Sequence, residues 1–211
     1  MISRNKLKSY IEIARIDKPI GIYLLLWPSV LGLLIAGTIN EIKIIDLLIV
    51  IIGSILVRSC GCVINDISDY KIDKLVSRTV GRPLATGALS IYEAWGFFLL
   101  LGLMSLSLLF FTNPLTIKIG IFFAIFIIVY PLTKRFFKAP QFFLGVTFGS
   151  GSLISYSLVS SSLSLSIIIL YIGLIAWIIS FDTYYALEDI EDDRSIGINS
   201  TAILWGDNVI K

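Results

Sequence analysis

Residues 47–73 read LLIVIIGSILVRSCGCVINDISDYKID, an apolar run that passes directly into a group of acidic residues. Between Leu47 and Ile64 the only charged residue is Arg58. A helix needs about 20 apolar residues to cross a bilayer, so this run predicts a membrane span. Because every backbone amide inside lipid must be hydrogen-bonded within its own segment, a helix is favoured over a strand. The stretch therefore predicts a helix that reaches the membrane surface near Asn65.

The same pattern recurs along the chain and predicts six spans in all. They are Ile20 to Ala36, Leu47 to Ile64, Trp95 to Phe111, Ile117 to Leu132, Phe142 to Val159 and Leu163 to Phe181. Of the 211 residues 56% are hydrophobic and 15% are charged, which is too little charge to cover a soluble domain. We expect an all-α fold, a polytopic transmembrane helix bundle with the lipid bilayer as its solvent. The net charge of +2 does not indicate a nucleic-acid partner.

The distribution of Lys and Arg predicts the orientation of the bundle. These residues concentrate in the N-terminal segment and in the loops after spans two and four, while the intervening connections carry one lysine or none. Since short cytoplasmic loops are rich in Lys and Arg, the N-terminus and the even-numbered loops are predicted to be cytoplasmic. Apolar residues such as Ile11 and Ile13 among the N-terminal cations indicate a segment that lies on the membrane surface before span one.

Acidic residues form two clusters, one after span two and one after span six. The first contains Asp66, Asp69 and Asp73, and the second runs from Asp182 to Asp193. Because four spans separate them, both clusters are predicted to emerge on the same side of the membrane.

The spacing within each cluster predicts a row of polar side chains. If span two continues as a helix, Asn65, Asp69 and Asp73 recur at i, i+4 and i+8 and share one face. In the second cluster Asp182, Asp189 and Asp193 recur at i, i+7 and i+11.

Two acidic rows on one side of a membrane favour a cation between them, because stacked like charges destabilise a helix. Mg²⁺ fits, since it takes oxygen ligands and bridges carboxylates to substrate phosphates. A pyrophosphate also needs Lys or Arg as counter-charge. The candidates on the same side include Arg58, Arg78, Arg82 and Lys134, of which Arg58 in span two and Lys134 just after span four are favoured over residues at loop tips. The alternative interpretation is that these are solvated loop charges.

These residues resemble the UbiA family of intramembrane prenyltransferases. The first cluster is similar to the family motif NDxxDxxxD, and the second to DTxYAxxDxxDD. Further similarities lie in Arg15-Ile-Asp-Lys-Pro19-Ile-Gly21, in Arg78-Thr-Val-Gly-Arg82-Pro83 and in Tyr130-Pro-Leu-Thr-Lys134-Arg135. Together they extend from residue 15 to the end of the chain, and within the family they look closest to members that act on 4-hydroxybenzoate.

The resemblance implies nine helices around a central cavity whose cytoplasmic mouth carries both acidic motifs. It implies Mg²⁺-dependent transfer of a polyprenyl group from polyprenyl diphosphate to 4-hydroxybenzoate, in ubiquinone biosynthesis at the bacterial cell inner membrane. It implies that Asn65, Asp69, Asp189 and Asp193 bind Mg²⁺ and the diphosphate, and that Asp66, Asp73 and Asp182 are further acidic positions of the catalytic motifs. The chain is expected to form a single domain, residues 1–211, that lacks about the last three helices of the family.

Other functions are compatible with the same sequence. The acceptor is homogentisate, a naphthoate or a porphyrin in one alternative, and in another the chain is an inactive fragment that acts only as a membrane partner. A cation-coupled transporter is a third alternative, because acids near a membrane often mark ion pathways. It is disfavoured since the acids cluster at one surface and no inverted repeat is visible. No particular protein partner is indicated.

Overall fold

The computed structural model describes residues 4–76, 78–188 and 190–209. Its helices follow one another along the chain as α1 Arg4–Ile13, α2 Ile20–Gly37, α3 Ile44–Asp69, α4 Ile91–Ser107, α5 Pro114–Thr133, α6 Pro140–Val159, α7 Leu165–Glu188, α8 Ile190–Ile196 and α9 Thr201–Trp205. A 3-10 turn, Leu108–Phe111, extends α4, and another, Gly206–Asn208, follows α9. Within these residues six helices, α2 to α7, are long and apolar enough to cross a membrane. The predicted all-α polytopic bundle is therefore confirmed.

Polar caps set the starts of two spanning helices. At α4, Ser90 Oγ accepts a hydrogen bond from the Glu93 amide at 3.3 Å, and the Glu93 carboxylate accepts one from the Ser90 amide at 2.9 Å. At α5, Asn113 Oδ1 accepts from the amides of Leu115 and Thr116, both at 3.0 Å. These side chains satisfy amides that have no partner within the helix, so each helix begins at its cap.

Helix α6 is the central element of the bundle. Within its membrane-spanning window 61% of the residues are buried, against 17% for α4, α5 and α7. It packs closely on α2, where Gly32 faces the Ser152 backbone and Gly151 faces the Ser29 side chain. Small residues permit such close approach between helices in a membrane. The outward faces of α4, α5 and α7 are consequently exposed on the surface of the bundle.

Helix α1 docks against the ends of α3 and α4. Ile13 is fully buried in an apolar cluster with residues of α3 and α4, and Tyr10 packs edge-on against Phe97 at 4.9 Å. Lys6 forms an ion pair with Glu93 at the start of α4. The segment predicted to lie on the membrane surface is thus a helix fastened to the bundle.

Both acidic regions lie at one end of the bundle, which we call the acidic end. There α3 ends at Asp69, and Lys134, just after α5, contacts Asp69. Asn199, in the segment that follows α7 and α8, donates hydrogen bonds to the Lys134 carbonyl from its amide at 3.0 Å and its side chain at 3.1 Å. The structure therefore places the two regions on the same side of the bundle, as the alternation of spans predicts.

Candidate active site

A chamber of about 1040 Å³ opens at the acidic end and extends into the bundle between α2, α3, α5, α6 and α7. Its mouth includes the exposed side chains of Asp17, Lys18 and Arg78. The deeper wall is mainly apolar, with residues such as Leu24, Ile49, Val57, Ile127, Leu144 and Ile154. A charged mouth above an apolar interior suits an elongated apolar molecule with an anionic head.

The end of α3 presents Asn65 and Asp69 one helical turn apart. The ammonium group of Lys134 lies 3.4 Å from Asn65 Oδ1 and 3.3 Å from Asp69 Oδ2. Asp69 is buried, with 7% of its surface exposed. Because Lys134 is itself held by Asn199, three chain segments meet at this point. The positively charged ammonium group of Lys134 therefore lies between the amide oxygen of Asn65 and a carboxylate oxygen of Asp69.

Asp66 and Asp73 have a different environment, because each contacts arginine. Arg15 Nη2 lies 2.7 Å from Asp66 Oδ1, and Arg82 Nη1 lies 3.1 Å from the same oxygen. Arg82 Nη1 also lies 2.8 Å from Asp73 Oδ2. Both carboxyl groups are buried, at 1% and 4% residue exposure. Burial raises the pKa of Asp73, and the Arg82 guanidinium opposes that rise.

The prediction that Asn65, Asp69 and Asp73 share one helix face is wrong for Asp73. Helix α3 ends at Asp69, and the Asp73 amide donates to the Asp69 carbonyl at 2.8 Å within a turn. Thr79 Oγ1 donates to the Asp73 carbonyl at 3.0 Å, which ties this turn to the following loop. A buried carboxylate needs a charged partner, and the turn directs Asp73 towards Arg82.

The second acidic region reaches the chamber from α7 and α8. Asp182 of α7 and Asp193 of α8 both line it, together with Phe181 and Tyr185. Asp189, predicted as a metal ligand, lies outside the described residues. The segment is anchored by a 2.6 Å hydrogen bond between the Thr183 and Thr201 hydroxyls.

Arg58 lies deeper in the chamber than the acidic motif. It precedes Asn65 by seven residues, which corresponds to about 10 Å along α3. Its guanidinium packs over the Phe148 ring at 5.4 Å, and a Cβ at Gly21 would collide with it. The buried Arg58 Nε has no hydrogen-bond partner within the described residues. An unpaired buried donor costs about 1–3 kcal/mol, which favours an anionic ligand oxygen beside it.

Three chamber residues were not among the predicted site residues. Tyr130 lines the chamber and precedes Lys134 by four residues, a spacing that already places the two on one helix face. Arg15 is part of a quoted motif, although its contact with Asp66 carries no sequence signal. Gln141 lines the wall and accepts a hydrogen bond from the Thr201 amide at 2.9 Å, and no pattern in the sequence pointed to it.

The donor set at the end of α3 fits Mg²⁺. Asn65 and Asp69 offer oxygen atoms, and the position between them already accommodates a cationic group. In the described part of the chain, which excludes Asp189, no three acidic side chains come close enough to hold a metal ion. Mg²⁺ commonly completes its shell with water and substrate phosphates, so a small protein ligand set agrees with its chemistry.

Six apolar helices around a chamber with a charged mouth define a polytopic membrane protein. Residues 25–211 match the UbiA prenyltransferase family. The chain is 40% identical over 207 residues to 4-hydroxybenzoate octaprenyltransferase of Shewanella loihica, covering 98% of this chain and 72% of the relative. It is 42% identical over 199 residues to the Pseudomonas aeruginosa protein of the same name, covering 94% and 67%. The chain belongs to the UbiA prenyltransferase family, as its motifs predict.

Solved structures agree with this assignment. The apo structure of a UbiA homolog from Aeropyrum pernix K1 superimposes with a TM-score of 0.77 at 26% identity, covering 88% of this chain and 70% of that chain. A UbiA homolog from Archaeoglobus fulgidus, solved with DMAPP and Mg²⁺, gives a TM-score of 0.78 at 19% identity and covers 94% and 69%. The second comparison shows likeness of fold alone.

Proposed function

We propose that the protein transfers a polyprenyl group from polyprenyl diphosphate to the ring of 4-hydroxybenzoate, with release of diphosphate, in ubiquinone biosynthesis. The observation that carries the proposal is the apolar chamber with Asn65, Asp69 and Lys134 at its mouth. Such a chamber accommodates a long apolar chain and keeps its anionic head at the charged end. Relatives that are about 40% identical carry the name 4-hydroxybenzoate octaprenyltransferase.

The diphosphate is assigned to the mouth. Lys134, Arg78 and Arg82 supply positive charge there, since all three line the chamber. Asn65, Asp69 and Asp193 would hold Mg²⁺ together with Asp189, which the motif predicts. When bound, Mg²⁺ supplies charge neutralisation for the leaving diphosphate. The A. fulgidus homolog, which shares this fold, was solved with DMAPP and Mg²⁺.

The reaction breaks the allylic carbon–oxygen bond, and the bonding electron pair leaves with the diphosphate. A ring carbon of the acceptor then bonds to the prenyl carbon, and the ring proton passes to a base. Apolar side chains of the wall, including Phe123 and Phe148, exclude water that would capture the allylic cation. Asp182 lines the same space and is the candidate that orients or deprotonates the phenol. The deeper Arg58 offers its Nε, which has no partner in the described part of the chain, to an anionic oxygen of either substrate.

The proposed location is the bacterial cell inner membrane, with the acidic end in the cytoplasm. Lys and Arg concentrate in the N-terminal segment and in the loops that meet at this end. Water-soluble 4-hydroxybenzoate and Mg²⁺ would then enter from the cytoplasm, while the prenyl chain remains in the apolar interior.

A transfer assay tests the proposal. The purified chain in liposomes is supplied with octaprenyl diphosphate, Mg²⁺ and either 4-hydroxybenzoate or homogentisate, and product and released diphosphate are measured. We expect octaprenyl-4-hydroxybenzoate with 4-hydroxybenzoate only, and no product after Mg²⁺ chelation. Absence of product from every acceptor would contradict the proposal, as would cation flux without diphosphate release, which supports a transporter.

A further inference from the structure

The turn between α1 and α2 contains one residue in the left-handed backbone region. Arg15 has φ +54°. The Ile16 amide donates to the Ile11 carbonyl, and the Arg15 amide donates to the Glu12 carbonyl, both at 3.1 Å. This pair of bonds is the Schellman pattern that closes a helix, and its left-handed position is usually glycine because a Cβ is strained there. Arginine at this position indicates that the side chain is needed.

The Arg15 side chain reaches the most enclosed carboxylate of the first motif. Its Nη2 lies 2.7 Å from Asp66 Oδ1, and Arg82 Nη1 approaches the same oxygen at 3.1 Å. Arg82 Nη1 also contacts Asp73 at 2.8 Å. A buried carboxylate is stable only with such partners, and here they come from a turn and a loop on either side of α3. One carboxylate oxygen therefore joins three separate chain segments.

These contacts lie at the mouth of the chamber. Arg15, Asp66 and Arg82 all line it, and so do Lys18 from the α1–α2 turn and Arg78 from the α3–α4 loop. Asp66 directly follows Asn65 in the helix, so the two side chains point about 100° apart. The Asp66 carboxylate thus holds the rim, while its neighbour faces Lys134.

We propose that Asp66 is a positioning residue that fixes the rim of the diphosphate site through Arg15 and Arg82, and that Arg15 occupies its left-handed position for this ion pair. We call Arg15, Asp66, Arg82 and Asp73 the brace. The brace is complete without a metal ion, since each carboxylate already contacts a guanidinium. The proposal rests on the proposed function only for the identity of the ligand that the rim meets.

Two variants, Arg15→Gly and Asp66→Asn, distinguish the role of Arg15 in the ion pair from its role in the turn. Glycine accepts the left-handed backbone without strain, so a residue that served the turn alone would be replaced with no loss. We expect each variant to raise KM for octaprenyl diphosphate about tenfold, the loss of one charge-assisted hydrogen bond. KM for 4-hydroxybenzoate and the Mg²⁺ concentration for half-maximal rate should stay unchanged. KM for octaprenyl diphosphate in the double variant should not exceed that of the more impaired single variant, because both changes remove the same ion pair. Arg15→Lys should have a lower KM than Arg15→Gly.

Hydrogen exchange tests the brace without reference to activity. In both variants the amides of residues 10–20 and 78–86 should exchange faster than in the unsubstituted protein. Lys8→Ala is the matched control, because Lys8 is largely exposed and its ion pair with Glu12 lies at the surface, and the change should leave both segments unchanged. Unchanged exchange and KM in Arg15→Gly would overturn the brace. If the variants exchange faster but the unsubstituted protein transfers no prenyl group, the brace is supported and the proposed function is contradicted.

Discussion

Asp66 and Asp69 are three residues apart, yet their surroundings assign them different tasks. Asp66 and Asp73 together face Arg15 and Arg82, so two carboxylates are matched by two guanidiniums. Asp69 faces Lys134, which it shares with the neutral Asn65. Because the ammonium group is mobile on its four-carbon stem, the α3 terminus can exchange it for a metal ion. We therefore propose that Asp69 binds the metal ion and that Asp66 is a positioning residue.

Asp69→Asn should lower kcat/KM for prenyl transfer by at least about 100-fold, because the leaving diphosphate loses its charge neutralisation. Asp73→Asn should chiefly reduce thermal stability, by about 1–3 kcal/mol, since it weakens a charged hydrogen bond to Arg82 within the brace and removes no proposed metal ligand. Steady-state kinetics and thermal unfolding in detergent measure the two effects. Glu41→Gln, an exposed change at the opposite end, is the control. Wild-type kinetics in Asp69→Asn would refute the assignment.

Lys134→Ala should weaken the binding of octaprenyl diphosphate and strengthen the binding of Mg²⁺. Loss of the ammonium group should raise KM for octaprenyl diphosphate about tenfold. The same change frees the oxygens of Asn65 and Asp69, so half-maximal rate should require less Mg²⁺. Kinetics over a Mg²⁺ series test this, with Lys138→Ala in the same loop as the control. A higher Mg²⁺ requirement in Lys134→Ala would show that lysine and metal do not compete there.

Some of these residues are predictable from the sequence and others are not, for a physical reason. The positions of Arg58 in span two and of Lys134 just after span four favour both as site residues, and both line the chamber. The contact between Arg15 and Asp66 joins residues 51 positions apart and belongs to no helical periodicity. The i+4 spacing predicts Asp73 on the same face as Asp69 only if the helix continues, whereas α3 ends at Asp69.

At the scale of the helices, the contact between α2 and α6 depends on small residues. A Cβ on Gly32 would collide with the Ser152 backbone and lie 2.6 Å from Ser155 Oγ. A backbone atom cannot yield as a flexible side chain does, so the two helices would have to separate. The wall of the chamber that contains Ser29 and Gly151 is built on this contact.

Gly32→Ala should therefore destabilise the protein by about 1–3 kcal/mol, as expected when a packed interior is overfilled. Gly173→Ala in α7 is the matched control, because no atom of the described chain outside its own helix lies within 4 Å of the added carbon. That change should be neutral or slightly stabilising. Thermal unfolding in detergent compares the two, and equal stability of both variants would contradict the packing described.

Helix positions were more predictable than helix ends. The predicted spans agree with α2 to α7 because a bilayer demands a minimum apolar length. Helix α3 nevertheless begins at Ile44, and α7 extends to Glu188, beyond the apolar run. Apolarity indicates where a segment meets lipid, and a helix continues into the polar region as long as its hydrogen bonds are satisfied.

For the whole molecule, the arrangement of spans brings remote acidic segments to one mouth. The ends of α3 and α5 and the segment after α8 meet at Lys134, above an apolar chamber. The chain spans 67 to 72% of the length of the relatives compared with it. The outward apolar faces of α4, α5 and α7 suit contact with lipid or with further membrane helices.

Binding of an unreactive substrate analogue tests the central claim, that both acidic regions form one Mg²⁺–diphosphate site. Titration calorimetry would measure the affinity for a prenyl thiolodiphosphate, whose carbon–sulfur bond resists ionisation, with Mg²⁺ and with EDTA. We predict binding that requires Mg²⁺ and that is weakened at least about tenfold by Asp69→Asn and by Asp193→Asn separately. Affinity that is unchanged in EDTA, or that depends on Asp69 and not on Asp193, would contradict a shared site.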